Sequence, residues 1–310
     1  MSELFTLPVL LGILYSGIRL ATPYLYAAIG ETFAQRSGVY NLGVEGIMLM
    51  GAYTAFYVAS ISGDLWLGLG AAAGVGAMLG LLMAFVSVTL RAEQGISGIG
   101  LHLFGLGLST LLFKTTLGGV TSISGFQPVR IPFLADIPLL GDALFNHNLL
   151  VYVAFLLVPV ANWVINDTTL GLKIRAVGQN PAAADSLGVS VGKIRYLTVT
   201  VGGVFAGIAG ASLSIALINL FQENMTNGQG FIAVALVYFG GWRPWGVLGG
   251  AMLFSLVNAL QLWIQVAGIE LESDIAVMLP YLLTIVALAV AVRRAQQPAA
   301  LSKPFERGEA

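Results

Sequence analysis

Residues 31–49 read ETFAQRSGVYNLGVEGIML, and the fold turns on them. They lie between two long apolar runs and open like a solvated loop. Then they carry Asn41 and Glu45 into a stretch that is otherwise apolar enough to cross a membrane. Gly38, Gly43 and Gly46 each lower helix propensity by about 1 kcal/mol, so the segment reads as an interrupted helix. Backbone that leaves the helix at membrane depth is tolerated only where it is buried in protein or lines a cavity. Asn41 and Glu45 are four residues apart, which puts them on one face of any helical turn. Two readings of Glu45 stay open. It lines a pathway at a hinge, or it is structural, accepting backbone amides or pairing with Arg36 across a turn.

The rest of the chain supports a membrane setting. Of its 310 residues 57% are hydrophobic and only 9% charged, against about 25% charged in soluble proteins. The net charge of −1 gives no reason to expect nucleic acid. No cysteine is present, which excludes disulfides and thiolate metal sites, and two distant histidines make a poor metal site. The N-terminal MSELFTLPVL lacks the basic start of a cleavable signal peptide, so the first apolar run is expected to stay as a span.

About 20 apolar residues cross the hydrocarbon layer as a helix. Such runs fall at 5–29, 38–59, 65–90, 96–117, 148–165, 196–219, 229–241, 246–266 and 274–292. None alternates in the way barrel strands do. The expected fold class is therefore all-α, a polytopic transmembrane helical bundle of nine or ten segments forming one domain over 1–310. The tenth arises if Arg19 splits the first run; otherwise Arg19 snorkels to an interface. Nine crossings place 30–37, 91–95, 166–195, 242–245 and the tail 293–310 on one side. That side holds Arg36, Arg91, Lys173, Arg175, Lys193, Arg195, Arg243, Arg293, Arg294, Lys303 and Arg307, eleven of the fourteen basic residues. Positive charge marks the cytosol, so the N-terminus is expected outside.

The loop 166–195 contains a short helix with clear punctuation. Asn180 caps it, Pro181 opens it, Ala182, Ala183, Ala184, Asp185, Ser186 and Leu187 form its body, and Gly188 ends it. So short a helix is not stable alone in water. Two readings remain: it docks in a partner's groove, or it lies on the membrane surface.

Three blocks carry a family resemblance. GLKIRAVGQNPAAADSLGVSVGKIRYLTVTVGGVFAGIAGA (171–211) resembles the coupling loop of ABC importer permeases. AQRSGVYNLGVEGIMLMGAY (34–53) and GFIAVALVYFGGWRPWGVLGGAMLF (230–254) resemble the branch that serves ribose, galactose and branched-chain amino acids. Within it the first of these two is most similar to nucleoside-uptake permeases. Two positions depart from the pattern: Gln229 stands where an Arg is usual between two glycines, and His102 where an Asn is usual. The resemblance implies a transport subunit in a bacterial cytoplasmic membrane. A separate ATPase subunit would dock on Asn180–Gly188 from the cytosol. An external solute-binding protein would meet the outer loops, chiefly 118–147, and a second, unlike permease chain would complete the pathway. No cofactor and no metal are implied.

The second half offers its own interrupted segment, GQGFIAVALVYFGGWRPWGVLGG (228–250), and a pair of such segments is the best sequence pointer to a translocation pathway. Candidate pathway residues are Asn41, Glu45, His102, Asn258 and Gln261. The last two are three apart and share a helix face. Each alternatively serves as helix–helix glue, as do Gln94, Asn219 and Gln222. Trp242 and Trp245 are expected to anchor at the membrane interface. A P-loop needs G-x-x-x-x-G-K-[ST], and the nearest string, GVSVGKI (188–194), fails it. The chain is thus not expected to be an enzyme and no catalytic residue is singled out. Rival readings are a permease for sugars or branched-chain amino acids, and an ion-coupled transporter relaying protons through Glu45 and His102.

Overall fold

The computed structural model describes residues 6–119, 122–138, 140–266, 278, 282, 286 and 297–307. The first break sits between α1 (Leu7–Arg36) and α2 (Val44–Ser62). α3 (Leu65–Ala84) and α4 (Gln94–Leu112) follow, each ending in a π-helical turn, at Phe85–Thr89 and Phe113–Leu117. An outer connection then holds two short antiparallel strands, β1 (Pro128–Arg130) and β2 (Asn146–Asn148), with α5 (Gly141–Phe145) between them. α6 (Leu149–Asp167), α7 (Thr169–Gln179) and α8 (Pro181–Ser186) lead into α9 (Val191–Ser212), which closes with a π-helical turn at Leu213–Leu217. α10 (Gln229–Phe239) and α11 (Pro244–Val266) complete the described helices.

Among the described residues seven helices are long and apolar enough to cross a membrane, and α10 is a shorter apolar eighth. The polytopic helical bundle is as expected; the segment 274–292 lies outside the described residues save for isolated positions. Several boundaries differ. The first run is one continuous helix of 30 residues, so Arg19 does not split it. Arg19 instead reaches the Leu217 carbonyl at 3.4 Å and sits over the Tyr15 ring. Residues 31–35 are not a solvated loop: they are the buried last turns of α1. Glu31, Gln35 and Arg36 look loop-like in a hydropathy profile because they are polar, yet each finds a partner inside the bundle. The region 166–195 is mostly helical as well, since α6 extends to Asp167 and α7 adds a second helix before the expected one.

The middle of the bundle is α2 and α9, the two helices whose spans are most enclosed. Their approach is set by small residues. A Cβ added at Gly51 would lie 2.4 Å from the Gly207 carbonyl oxygen, and one at Gly207 would lie 2.3 Å from that of Ala72 on α3. In lipid there is little hydrophobic drive between helices, and close backbone packing of this kind takes its place. α1 packs along α9 and α11, and α4 packs along α2. The lipid-facing surface falls to α3, α4 and α6, which expose Leu82, Leu103, Leu111, Leu156 and Trp163.

Residues 297–307 form a strap across the end of the bundle that carries α7 and α8. Ala300 N–H donates to the Gly178 carbonyl (2.9 Å), and Ser302 N–H to the Gly38 carbonyl (3.1 Å). Arg195 is clamped beneath the strap. Its Nε donates to Ser37 O (3.2 Å) and its Nη1 to Lys303 O (3.0 Å). Arg307 pairs with Asp185 of α8 at 2.8 Å, and Glu306 pairs with Arg91. Arg195 thus belongs to α9 and is 1% exposed, where the charge count had placed it in a cytosolic loop.

Candidate functional site: two interrupted segments joined by Glu45

Between Arg36 and Val44 the chain leaves the helix, and the amides of residues 37–41 and 43 each find an acceptor. Gly38, at φ +92°, adopts the left-handed turn that ends α1. Gly38 N–H donates to Gln35 O and Val39 N–H to Ala34 O. Tyr40 N–H then donates to the Gln94 side chain at 2.8 Å, Asn41 N–H to Glu31 at 3.0 Å, and Gly43 N–H to Asn41 Oδ1 at 2.9 Å. Side chains from α1 and α4 therefore do what water would do outside the membrane. Asn41 acts as a local cap, buried and directed at its own backbone.

The second break precedes α10. Gly228 stands at φ +86°, a conformation that suits glycine. The free amides here converge on one carboxylate. Glu45 Oε1 accepts from Gly228 N–H (2.7 Å) and from the Thr226 hydroxyl (2.6 Å), while Oε2 accepts from Gly230 N–H (2.5 Å). An anion at the start of α10 also matches the positive end of that helix. Gly230 is required by the approach, since a Cβ there would lie 2.5 Å from the Glu45 Cα. Of the two structural partners expected for Glu45, backbone amides and Arg36, the amides are the ones it bonds. Arg36 does not pair with it; Arg36 Nε donates to Trp242 O at 2.8 Å.

A second polar chain crosses between the segments nearby. Glu31 Oε1 also accepts from Gln35 Nε2 (3.0 Å), and Gln35 Oε1 accepts from Trp242 Nε1 (2.8 Å). Trp242 is 2% exposed, so it is a buried donor and not an interfacial anchor; Trp245, 54% exposed, keeps that possibility. Glu31 Oε2 is buried and finds no partner among the described residues.

The candidate residues therefore divide. Asn41, Glu45 and His102 lie in one neighbourhood, because Gly46 packs on the His102 backbone and the His102 ring meets Phe231 edge-on at 5.1 Å. Asn258 and Gln261 sit on α11, which packs on α1, α6 and α10. No hydrogen bond joins them to the other three among the described residues. Asn41 and Glu45 are buried and engaged, so their polar atoms hold the breaks in place. His102 Nδ1 on α4 and Gln229 Oε1 at the start of α10 are buried polar atoms that find no hydrogen-bond partner among the described residues. Sequence reasoning passed over Glu31, Gln35 and Thr226. The first two were hidden by the loop reading of 30–37, and Thr226 carries no signal apart from the two glycines after it.

α8 has the punctuation read from its sequence. Asn180 Oδ1 accepts from Ala183 N–H at 3.0 Å, Pro181 is the first helical residue, and Gly188 exits at φ +83°. Ala184 is buried against the bundle. Ala182, Ala183, Ser186 and Leu187 face outward, and Leu187 is 85% exposed.

Seven helices long and apolar enough to cross a membrane, with two interrupted segments joined at Glu45, suit a transport subunit. The chain belongs to the branched-chain amino acid transport system / permease component family, whose model matches residues 13–288. It is similar to a putative glucose ABC transporter permease protein, TsgC13, of Haloferax volcanii, with 41% identity over 96% of this chain and 98% of the relative. The guanosine ABC transporter permease protein NupQ of Bacillus subtilis is 34% identical over 93% of this chain and 94% of the relative. The nucleoside ABC transporter permease protein NupC of Lactococcus lactis is 34% identical over 90% and 92%. No solved structure matches the chain.

Proposed function

We propose that this chain is the membrane-spanning permease subunit of an ATP-driven importer of nucleosides. It would lie in a bacterial-type cytoplasmic membrane with α7, α8 and the strap toward the cytosol. The observation that carries the solute is similarity along nearly the whole chain to two nucleoside permeases. The Phe231 ring against His102, together with the unpartnered His102 Nδ1 and Gln229 Oε1, supports it, since an uncharged solute with a flat ring and hydroxyls uses contacts of both kinds. A separate ATPase subunit docks on the outward ridge of α8, Ala182, Ala183, Ser186 and Leu187. Closure of the ATPase pair pulls this helix, and α7 passes the motion to the first break. A solute-binding protein delivers from outside, and a second, unlike permease chain completes the pathway. Asn258 and Gln261 line it from α11, while Asn41 and Glu45 hold its hinges. A second reading, import of a simple sugar, is favoured by the Haloferax relative.

Uptake of labelled guanosine, glucose and leucine separates these readings in cells lacking only this chain. Each is measured with the proton gradient intact and collapsed while ATP is maintained. Loss of guanosine uptake, with wild-type uptake surviving gradient collapse, is the expected result. Loss of glucose or leucine uptake instead replaces the solute. Wild-type uptake that vanishes with the gradient removes the ATP-driven reading.

A further inference from the structure

Arg36, Arg175 and Arg243 lie near one another at the strap end of the bundle, and among the described residues none of them forms an ion pair. Arg36 closes α1, and its bond to the Trp242 carbonyl brings Arg243, the next residue, alongside. α7 arrives from the other direction. A Cβ at Gly178 would fall 2.0 Å from the Arg36 carbonyl oxygen, and Arg175 lies one turn earlier on the same face of α7. Arg175 and Arg243 are both near enough to act electrostatically on Arg36. Arg175 uses Nη2 on the Asn166 carbonyl at 3.3 Å, while its Nε is buried and finds no partner among the described residues. The ion pairs found among the described residues involve Arg91, Lys114, Arg130 and Arg307, and none of these three. Like charges brought together with restricted solvent repel. Guanidinium groups brought near one another, with no ion-pair partner among the described residues, suit an oxyanion such as phosphate.

The depth of the cluster selects the source of that phosphate. Trp245, two residues beyond Arg243, is exposed, as a residue at the headgroup level is. α7 exposes Leu170 and Leu172 around Lys173, the pattern of a helix lying in the interface. Basic pockets between transmembrane helices on the cytosolic side hold anionic headgroups. We propose that Arg36, Arg175 and Arg243 form a binding site for the phosphate of an anionic phospholipid, between α1, α7 and the turn joining α10 to α11. The site rests on the membrane setting and not on the identity of the solute. Arg36 also holds Trp242, whose indole holds Gln35, so the bound headgroup steadies the joint between the two interrupted segments.

The test is lipid retention by the purified full-length chain, read by native mass spectrometry after exchange into phosphatidylglycerol or phosphatidylcholine. Wild type should keep phosphatidylglycerol and lose phosphatidylcholine. Arg175→Gln and Arg243→Gln should each weaken retention about fivefold, the worth of one basic group near an anionic surface. Lys303→Gln, a basic change outside the cluster, should leave it unaltered, and equal melting temperatures show that the variants fold. Equal retention in all chains, or equal loss in Lys303→Gln, would overturn the site. Displacement by millimolar inorganic phosphate would make it a free-anion site. Loss of ATPase-subunit capture with lipid retention intact would assign the arginines to a protein partner, also against the proposal.

Discussion

The break before α2 and the break before α10 face the same problem and meet it differently. Each must satisfy backbone amides where water does not reach. The first draws on three side chains, Gln94, Glu31 and Asn41, taking one bond from each. The second draws on Glu45, which meets two amides and a hydroxyl with both its oxygens. Glu45 has no free oxygen, whereas Glu31 has one. A distributed solution tolerates the loss of a member; a concentrated one does not. The second break should therefore be the brittle one, although its sequence, GQG, looks the more flexible.

The largest expected effect is at Glu45. Glu45→Ala strips a buried amide, Gly230, and a half-buried one, Gly228, of their acceptor, at about 1–3 kcal/mol for the buried one, so stability should fall by several times thermal energy. Thermal unfolding of the purified chain measures this, and guanosine uptake should be lost with it. Near-wild-type melting would mean that the two segments are held by something other than this carboxylate. Gly230→Ala comes next. The added methyl must push on the Glu45 backbone, an overpacking that costs about 1–3 kcal/mol, and the same melting assay reads it. Glu31→Gln should be milder. It keeps an acceptor for Asn41 N–H, so the loss should stay below about 1.5 kcal/mol, the net worth of one hydrogen bond. A Glu31→Gln chain less stable than Glu45→Ala would reverse the ranking of the two breaks.

The smallest effect concerns the strap. Arg91 beside Glu306 holds that carboxyl below the usual carboxylate range. A depressed value in the folded chain adds stability above the unfolded value and loses it as pH falls through the folded one. Strap docking should thus be unchanged at neutral pH and loosen only in acid below the ordinary carboxylate range. Limited proteolysis near residue 300 across that range checks it; cleavage rising near neutral pH would point to a different titrating group.

Much of this arrangement could be read from the residues. Apolar runs of 19 or more residues announced the spans, because only a helix satisfies its own backbone in lipid. Gly228, Gly230, Asn41 and Glu45 announced two breaks, since glycine and buried polar groups at membrane depth have few other uses. What the sequence hid was partnership over long separations. That Glu45 meets Gly230, that Gln35 meets Trp242, and that Arg195 meets Lys303 depends on the packing of α1, α2, α9 and α10, which no local pattern encodes. Hydropathy also misjudged 31–35, because a polar helix end with buried partners scores like a loop.

The strap carries one more consequence, for the order of assembly. Residues 297–307 are synthesised after every helix they touch, and they bond to Gly38 and Ser37's partner Arg195 from the far end of the chain. Contacts of such long sequence separation form late. Until they form, Arg195 lacks one of its two carbonyl partners, and the first break lies uncovered on the side where α8 is presented. Only a chain with the strap in place offers α8 braced through Asp185 and Arg307. Any partner that reads α8 therefore meets a helix tied through Asp185 to residues 297–307.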